Sequence, residues 1–344
     1  MKAGWTRSET SSAREDFFDT CMSGEQNMAG FEAKRTRKAT FGRRTRNEPV
    51  HRWLTFSDGW PPSAVERALS VLKVSPDEWV WDPFGGSGTT AVVAMNQGFC
   101  VLTSDVDPLA ALVASVKVRP PARGLLEDIN WPSDRSLAQL CGSVSKALPA
   151  SHSERVRAMR FLIVGSVLRS GWHLGEPFHE QRVRSQFSRL RAEMLTDKCI
   201  PAMPTRRAIV HCGDFRDLLA RARKVMGGRS VMVTSPPFVG SDRNPKVARL
   251  KRIIGLTERR LSTPRAAAEG VYHGMLVSIA NAAMRGGCRA VAIELSARSR
   301  SSRRGTNWPP NILADALRAA GYTTDTIRFT SGREDPSVLC LGVR

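Results

Sequence analysis

Two short strings carry the residue types from which chemistry can be built. The first is Asp82-Pro83-Phe84-Gly85-Gly86-Ser87-Gly88-Thr89-Thr90, set between an apolar run, Trp79-Val80-Trp81, and a helical pattern from Thr89 to Gln97. Glycines at such a turn let a ligand approach the backbone at a helix N-terminus, at the end of an open parallel sheet where ligands bind. The Gly-Lys-Ser/Thr of a phosphate loop is missing, and Asp82 stands where it would repel a pyrophosphate. A carboxylate there suits a cationic ligand instead. Alone, a glycine turn reads most simply as a tight turn with its acids as helix caps.

The spacing of further acids argues for a ligand. Asp105 closes the next strand, where a carboxylate can accept both hydroxyls of a ribose, and Asp214 follows the third strand, placed for an adenine amino group. An adenosine with a positive group and no phosphates fits all three acids, and S-adenosylmethionine is such a molecule.

The second string is Thr234-Ser235-Pro236-Pro237-Phe238. Consecutive prolines stiffen the chain and remove two amide donors, leaving carbonyls toward whatever enters the pocket. Phe238 offers a flat face for stacking a base. An exocyclic amine on a base is a poor nucleophile because its lone pair is delocalised into the ring. Hydrogen bonds from that amine to the Ser235 hydroxyl and the Pro236 carbonyl favour a more tetrahedral nitrogen, aimed at a sulfonium methyl. The plainer alternative is a proline-stiffened exit from a strand.

These strings need a scaffold that brings strand ends together. Strands are expected at Trp79–Trp81, Phe99–Thr103, Ala208–His211, Ser230–Thr234, Arg289–Leu295, Thr324–Phe329 and Val338–Val343. Helices alternate with them at Ser63–Lys73, Thr89–Gln97, Phe215–Val225, Ala266–Met284 and Pro310–Ala320. This rhythm predicts an α/β, Rossmann-like fold, with a mostly parallel seven-stranded sheet and an antiparallel C-terminal hairpin. Residues 119 to 205 lack the rhythm and show Arg-rich helical segments near 136–147, 154–168 and 180–194, so they read as a helical insertion. Residues 1–48 are polar and end in a cluster of Lys and Arg, the pattern of a flexible basic arm. The remainder, 49–344, is expected to form one domain that carries both strings.

The 344 residues carry 52 Lys and Arg against 32 Asp and Glu, a net charge of +20, which favours an anionic partner. Apolar content of 41% supports a sizeable core and excludes a wholly disordered polycation. No apolar run approaches the length of a membrane span, and no secretory signal is evident at the N-terminus. The seven cysteines are scattered without a C-x-x-C pair, as expected of reduced thiols in a cytoplasmic protein rather than a zinc or disulfide framework. No histidine pair has metal-ligand spacing, and no metal is expected.

Together the strings D-P-F-G-G-S-G-T-T, D-V-D-P, G-D and T-S-P-P-F resemble the amino-methylating DNA methyltransferases, over most of residues 50–344. The resemblance implies methyl transfer from S-adenosylmethionine to N4 of cytosine or N6 of adenine in double-stranded DNA, on a base flipped from the helix. It places the methionine end of the cofactor at Asp82, Phe84, Gly85 and Gly88, with Pro83, Ser87 and Thr89 in the same loop. The ribose falls at Asp105, the adenine at Asp214 and Phe215, and the target base at Ser235, Pro236, Pro237 and Phe238. Ser at the first catalytic position looks more like the cytosine-N4 branch. Many relatives in that branch place the catalytic string before the cofactor string, whereas here it follows. Target recognition then falls to the insertion or to the loop after Phe238.

That loop carries Arg243, Lys246 and Arg249, and a second basic loop carries Arg300, Arg303 and Arg304; both are candidates for phosphate contacts. The alternatives are an RNA guanine-N2 methyltransferase, whose usual Asp-Pro-Pro-Tyr differs from the string here, and a non-catalytic nucleic-acid-binding protein on the same fold. No nuclease string accompanies the methyltransferase strings, which leaves a restriction enzyme as a possible separate partner.

Overall fold

A computed structural model describes residues 48–54, 60–131, 154–171, 179–197, 207–237, 269–296, 309–330 and 336–344. Residues 1–47 of the basic arm, Phe238 and the six loop cations Arg243, Lys246, Arg249, Arg300, Arg303 and Arg304 lie outside these residues, as does the expected helix near 136–147.

The chain alternates helices and strands in the order α1 (Pro62–Val71), β1 (Trp79–Asp82), α2 (Thr89–Gln97), β2 (Cys100–Asp105) and α3 (Pro108–Val118). Next come α4 (Arg123–Asp128), α5 (Glu154–Arg169), α6 (Glu180–Thr196) and β3 (Ala208–Cys212). The remainder is α7 (Leu219–Met226), β4 (Ser230–Thr234), α8 (Glu269–Gly286), β5 (Cys288–Ser296), α9 (Pro309–Ala319), β6 (Thr323–Thr330) and β7 (Pro336–Val343). The seven strands of the described residues form one sheet in the order β3-β2-β1-β4-β5-β7-β6. The first five pair in parallel, and β7 inserts antiparallel between β5 and β6. This is the expected α/β Rossmann-like architecture.

Both faces of the sheet are buried, and side-chain alternation assigns each residue to one face. Val80, Val101, Val231, Val233, Ala290 and Ala292 join one apolar cluster with residues of α1, α2, α3, α5 and α6. Trp79, Trp81, Leu102, Met232, Val291 and Ile293 join the other with α7, α8 and α9. The helices of the 119–205 segment thus contribute directly to the main core: Phe161 of α5 stands edge-on to Trp53 at 6.3 Å, and both are fully buried.

Two local features differ from the sequence reading. Helix α3 is not announced by periodicity because its residues from Leu109 to Val118 are nearly all buried and mostly apolar, so no polar face marks its period. Its start is marked instead by Asp107, which accepts from the Leu109 amide, and by Pro108 at the first helical position. The expected helix over 215–225 divides into a 3-10 turn, Phe215–Leu218, and α7.

The segment before α1 is fastened from two sides. Asp197, just past α6, accepts from the Val50 amide at 3.0 Å and Trp53 Nε1 at 2.8 Å, and is paired with Arg52. Lys117 of α3, fully buried, donates Nζ to the carbonyls of Leu54 at 2.6 Å and His51 at 3.3 Å. Burial pushes this ammonium down to about 7.

Candidate functional site

The strand order reverses between β1 and β4: the chain runs from β1 outward to β2 and β3, then returns to β4 on the other side. In an open parallel sheet the crevice for a ligand opens at such a point, beyond the carboxyl ends of the strands. Asp82 ends β1 and Thr234 ends β4, so the two chemistry-bearing strings meet across this switch point although they are far apart in sequence.

Asp82 is 2% exposed. Its Oδ1 accepts from Thr234 Oγ1 at 2.6 Å and from the Phe84 amide at 3.1 Å, and Thr90 adds a side-chain hydrogen bond. All these donors are neutral. Burial therefore prevails and pushes the carboxyl up to about 6, against the opposing pull of the hydrogen bonds. Among the described residues this buried carboxylate thus has only neutral donors, an arrangement that can stabilise a cation brought next to it.

The glycine loop is shaped by close approach. A Cβ on Gly85 would fall 2.1 Å from Thr103 Oγ1, and Gly88 combines φ +83 with a Cβ position 3.0 Å from Ala114 Cα on α3. Neither site tolerates a side chain, so the loop lies flat over β2 and α3. Ser87 and Thr89 are buried, with Thr89 opening α2. The Pro83 carbonyl accepts from Ser104 Oγ at 3.1 Å.

Asp105, at the end of β2, ties this loop to the next one: Oδ2 accepts from the Gly86 amide at 2.9 Å and Oδ1 from the Asp107 amide at 2.8 Å. Burial raises this carboxyl to about 6 as well, the two amides opposing it. Each oxygen keeps acceptor capacity beyond its backbone donor.

Asp214 has a stronger internal partner than the sequence suggests. Arg216 binds it in a fork, with Nε to Oδ1 at 2.9 Å and Nη2 to Oδ2 at 2.6 Å, and the Arg216 amide also donates to Oδ1 at 2.8 Å. Burial alone would raise this carboxyl, but the arginine's hydrogen bonds and charge hold it below the usual range. Phe215 meets Phe84 with ring centroids 5.2 Å apart, which joins the turn after β3 to the loop after β1.

On the other side of Asp82, Ser235 leaves β4 half-buried, followed by a buried Pro236 and an exposed Pro237. Its hydroxyl donates to Glu294 Oε2 at 2.5 Å. Glu294, on β5, is 2% exposed, and its charge together with burial pushes the nearby Tyr272 phenol up, burial being the larger cause. The sequence strings do not include Glu294. Its signal is a single acid within the apolar strand Ala290-Val291-Ala292-Ile293-Glu294-Leu295, near the end that faces the ligand crevice. The last paired residues of β4 and β5 are Thr234 and Ile293, so Ser235 and Glu294 stand next to each other at the following position.

Among the described residues, no helix is long and apolar enough to cross a membrane. No protein-family model matches the chain. Over 81 residues the chain is 26% identical to the type II methyltransferase M.BsoBI of Geobacillus stearothermophilus. The aligned stretch covers 24% of this chain and 16% of that protein, so the similarity reaches only a minor part of either.

Proposed function

We propose that the chain is a DNA methyltransferase that uses S-adenosylmethionine to methylate the exocyclic amine of a flipped base, N4 of cytosine before N6 of adenine. The observation that carries this reading is the pairing, across one switch point, of a buried carboxylate that has neutral donors among the described residues with the Ser-Pro-Pro string, which begins directly after the Thr234 bonded to that carboxylate. The partial similarity to a type II methyltransferase supports it.

In this reading Asp82 holds the cationic end of the cofactor, Gly85 and Gly88 let it approach the backbone, and Asp105 accepts the ribose hydroxyls. Asp214, kept ionised by Arg216, accepts from the adenine amino group beside Phe215. When bound, S-adenosylmethionine supplies an electrophilic methyl whose departure leaves a neutral thioether. Ser235 Oγ and the Pro236 carbonyl accept the two N–H bonds of the target amine and turn its lone pair toward that methyl, and the proton that the methylated nitrogen gives up is released to solvent. Phe238 stacks on the base. The cations of the loops after Phe238 and around Arg300 grip backbone phosphates, and the loop after Phe238 or the 119–205 segment reads the target sequence.

Nucleoside mass spectrometry of DNA from cells expressing the protein tests this directly. A methylated cytosine-N4 or adenine-N6 nucleoside, absent from cells expressing Ser235→Ala, is the expected result. Methylated RNA with unmodified DNA overturns the reading.

A further inference from the structure

A serine hydroxyl can both donate and accept, so by itself it does not tell an amine from a carbonyl. The environment of Ser235 removes that ambiguity. Its single proton is committed to Glu294 Oε2 at 2.5 Å, a length typical of a hydroxyl bound to a carboxylate. Glu294 sits in the middle of the sheet with almost no exposure, beside the buried Tyr272, and parallel register sets it next to Ser235. The proton therefore points inward to the sheet and the lone pairs of Oγ point outward to the crevice.

We infer that Glu294 is a specificity-determining residue that locks Ser235 as a pure hydrogen-bond acceptor, so that the site admits a base edge presenting N–H and rejects one presenting a carbonyl. The inference rests on the proposed function, in which Ser235 faces the target base. Cytosine and adenine present an amine at the reacting position. Uracil and hypoxanthine present an oxygen there, which would meet the Oγ lone pairs head on. Glu294 touches neither cofactor nor base in this scheme and acts only through Ser235.

The test uses the full chain and a duplex carrying the methylated site, mapped beforehand from the modified DNA. Affinity is measured for the duplex with the native target base and for one with its deaminated counterpart, uracil or hypoxanthine, at that position. A mispaired base leaves the stack more easily for every variant alike, so the readout is the change in the affinity ratio between variants. Glu294→Met keeps the length of the side chain and removes the acceptor; it should shift the ratio toward the carbonyl base by about tenfold or more, the scale of one unmatched buried hydrogen bond. Glu294→Gln, which still offers a carbonyl to Ser235, should retain most of the native ratio. In a Ser235→Ala background, Glu294→Met should shift the ratio no further, because the effect passes through the hydroxyl. Affinity for S-adenosylmethionine should be the same in all of them, which shows that the fold is intact.

Wild-type methyl transfer to DNA with an unchanged ratio in Glu294→Met overturns the acceptor lock while leaving the proposed function standing. Equal shifts in Glu294→Met and Glu294→Gln also overturn it, because charge would then matter and not acceptor direction. Absence of any methyl transfer from the wild-type protein to DNA removes the proposed function and this inference together.

Discussion

Asp82 should lower the stability of the ligand-free protein in exchange for binding a cation, and Asp82→Asn separates the two effects. Moving its carboxyl from an ordinary 3.8 to about 6 corresponds to about 3 kcal/mol against the ionised form, at about 1.4 kcal/mol per pH unit. The sign follows from the raised value: between the two pKa values the folded state binds more protons than the unfolded one. The penalty is therefore fully present above about pH 6 and absent below about pH 4. The amide variant keeps an oxygen to accept from Thr234 and Phe84 and has no charge to bury. Its ligand-free form should melt several degrees above wild type at pH 7.5, at roughly 2–4 °C per kcal/mol for a domain of this size, and the difference should vanish near pH 4. Its affinity for S-adenosylmethionine at pH 7.5 should fall by about 100-fold, the equivalent of about 3 kcal/mol. Wild-type affinity should itself decline as pH drops through about 6. Thermal denaturation at the two pH values and titration calorimetry read all of these. A variant no more stable than wild type at pH 7.5, or one that binds the cofactor within about threefold of it, would refute the reasoning.

Asp197→Ala removes the acceptor shared by the Val50 amide, Trp53 Nε1 and Arg52; urea unfolding should show a loss of about 3–5 kcal/mol, since buried donors and a guanidinium lose their partner. The net charge of +20 should make affinity for duplex DNA fall by about a thousandfold or more between roughly 50 and 200 mM salt, if six or more phosphates are neutralised; a flat salt titration would show that the cations do not meet a nucleic-acid backbone.

Much of the scaffold was legible because its elements obey local rules. Helix α2 begins and ends where glycines at 88 and 98 take positive φ, and β4 spans the apolar run Ser230–Thr234. Helix α3 was not legible because nearly all of it is buried, which erases the amphipathic period. The participation of α5 and α6 in the main core was hidden for a different reason. Their apolar residues, such as Phe161 and Phe187, mark a buried face, but nothing local says which cluster that face joins.

The candidate site divides in the same way. Residue types and short spacings alone single out as candidates the glycine turn, the acids at strand ends and the Ser-Pro-Pro string, because these patterns are set by neighbours within a few positions. Pairing across the sheet is set by long-range register, and it supplies what those strings lack. It brings Asp82 against Thr234, gives Asp105 to the Gly86 amide, and places Glu294 behind Ser235. The charge state of Asp82 likewise follows from burial, a property of the assembled core. The sequence marks the candidate groups, and the folded sheet decides which of them meet.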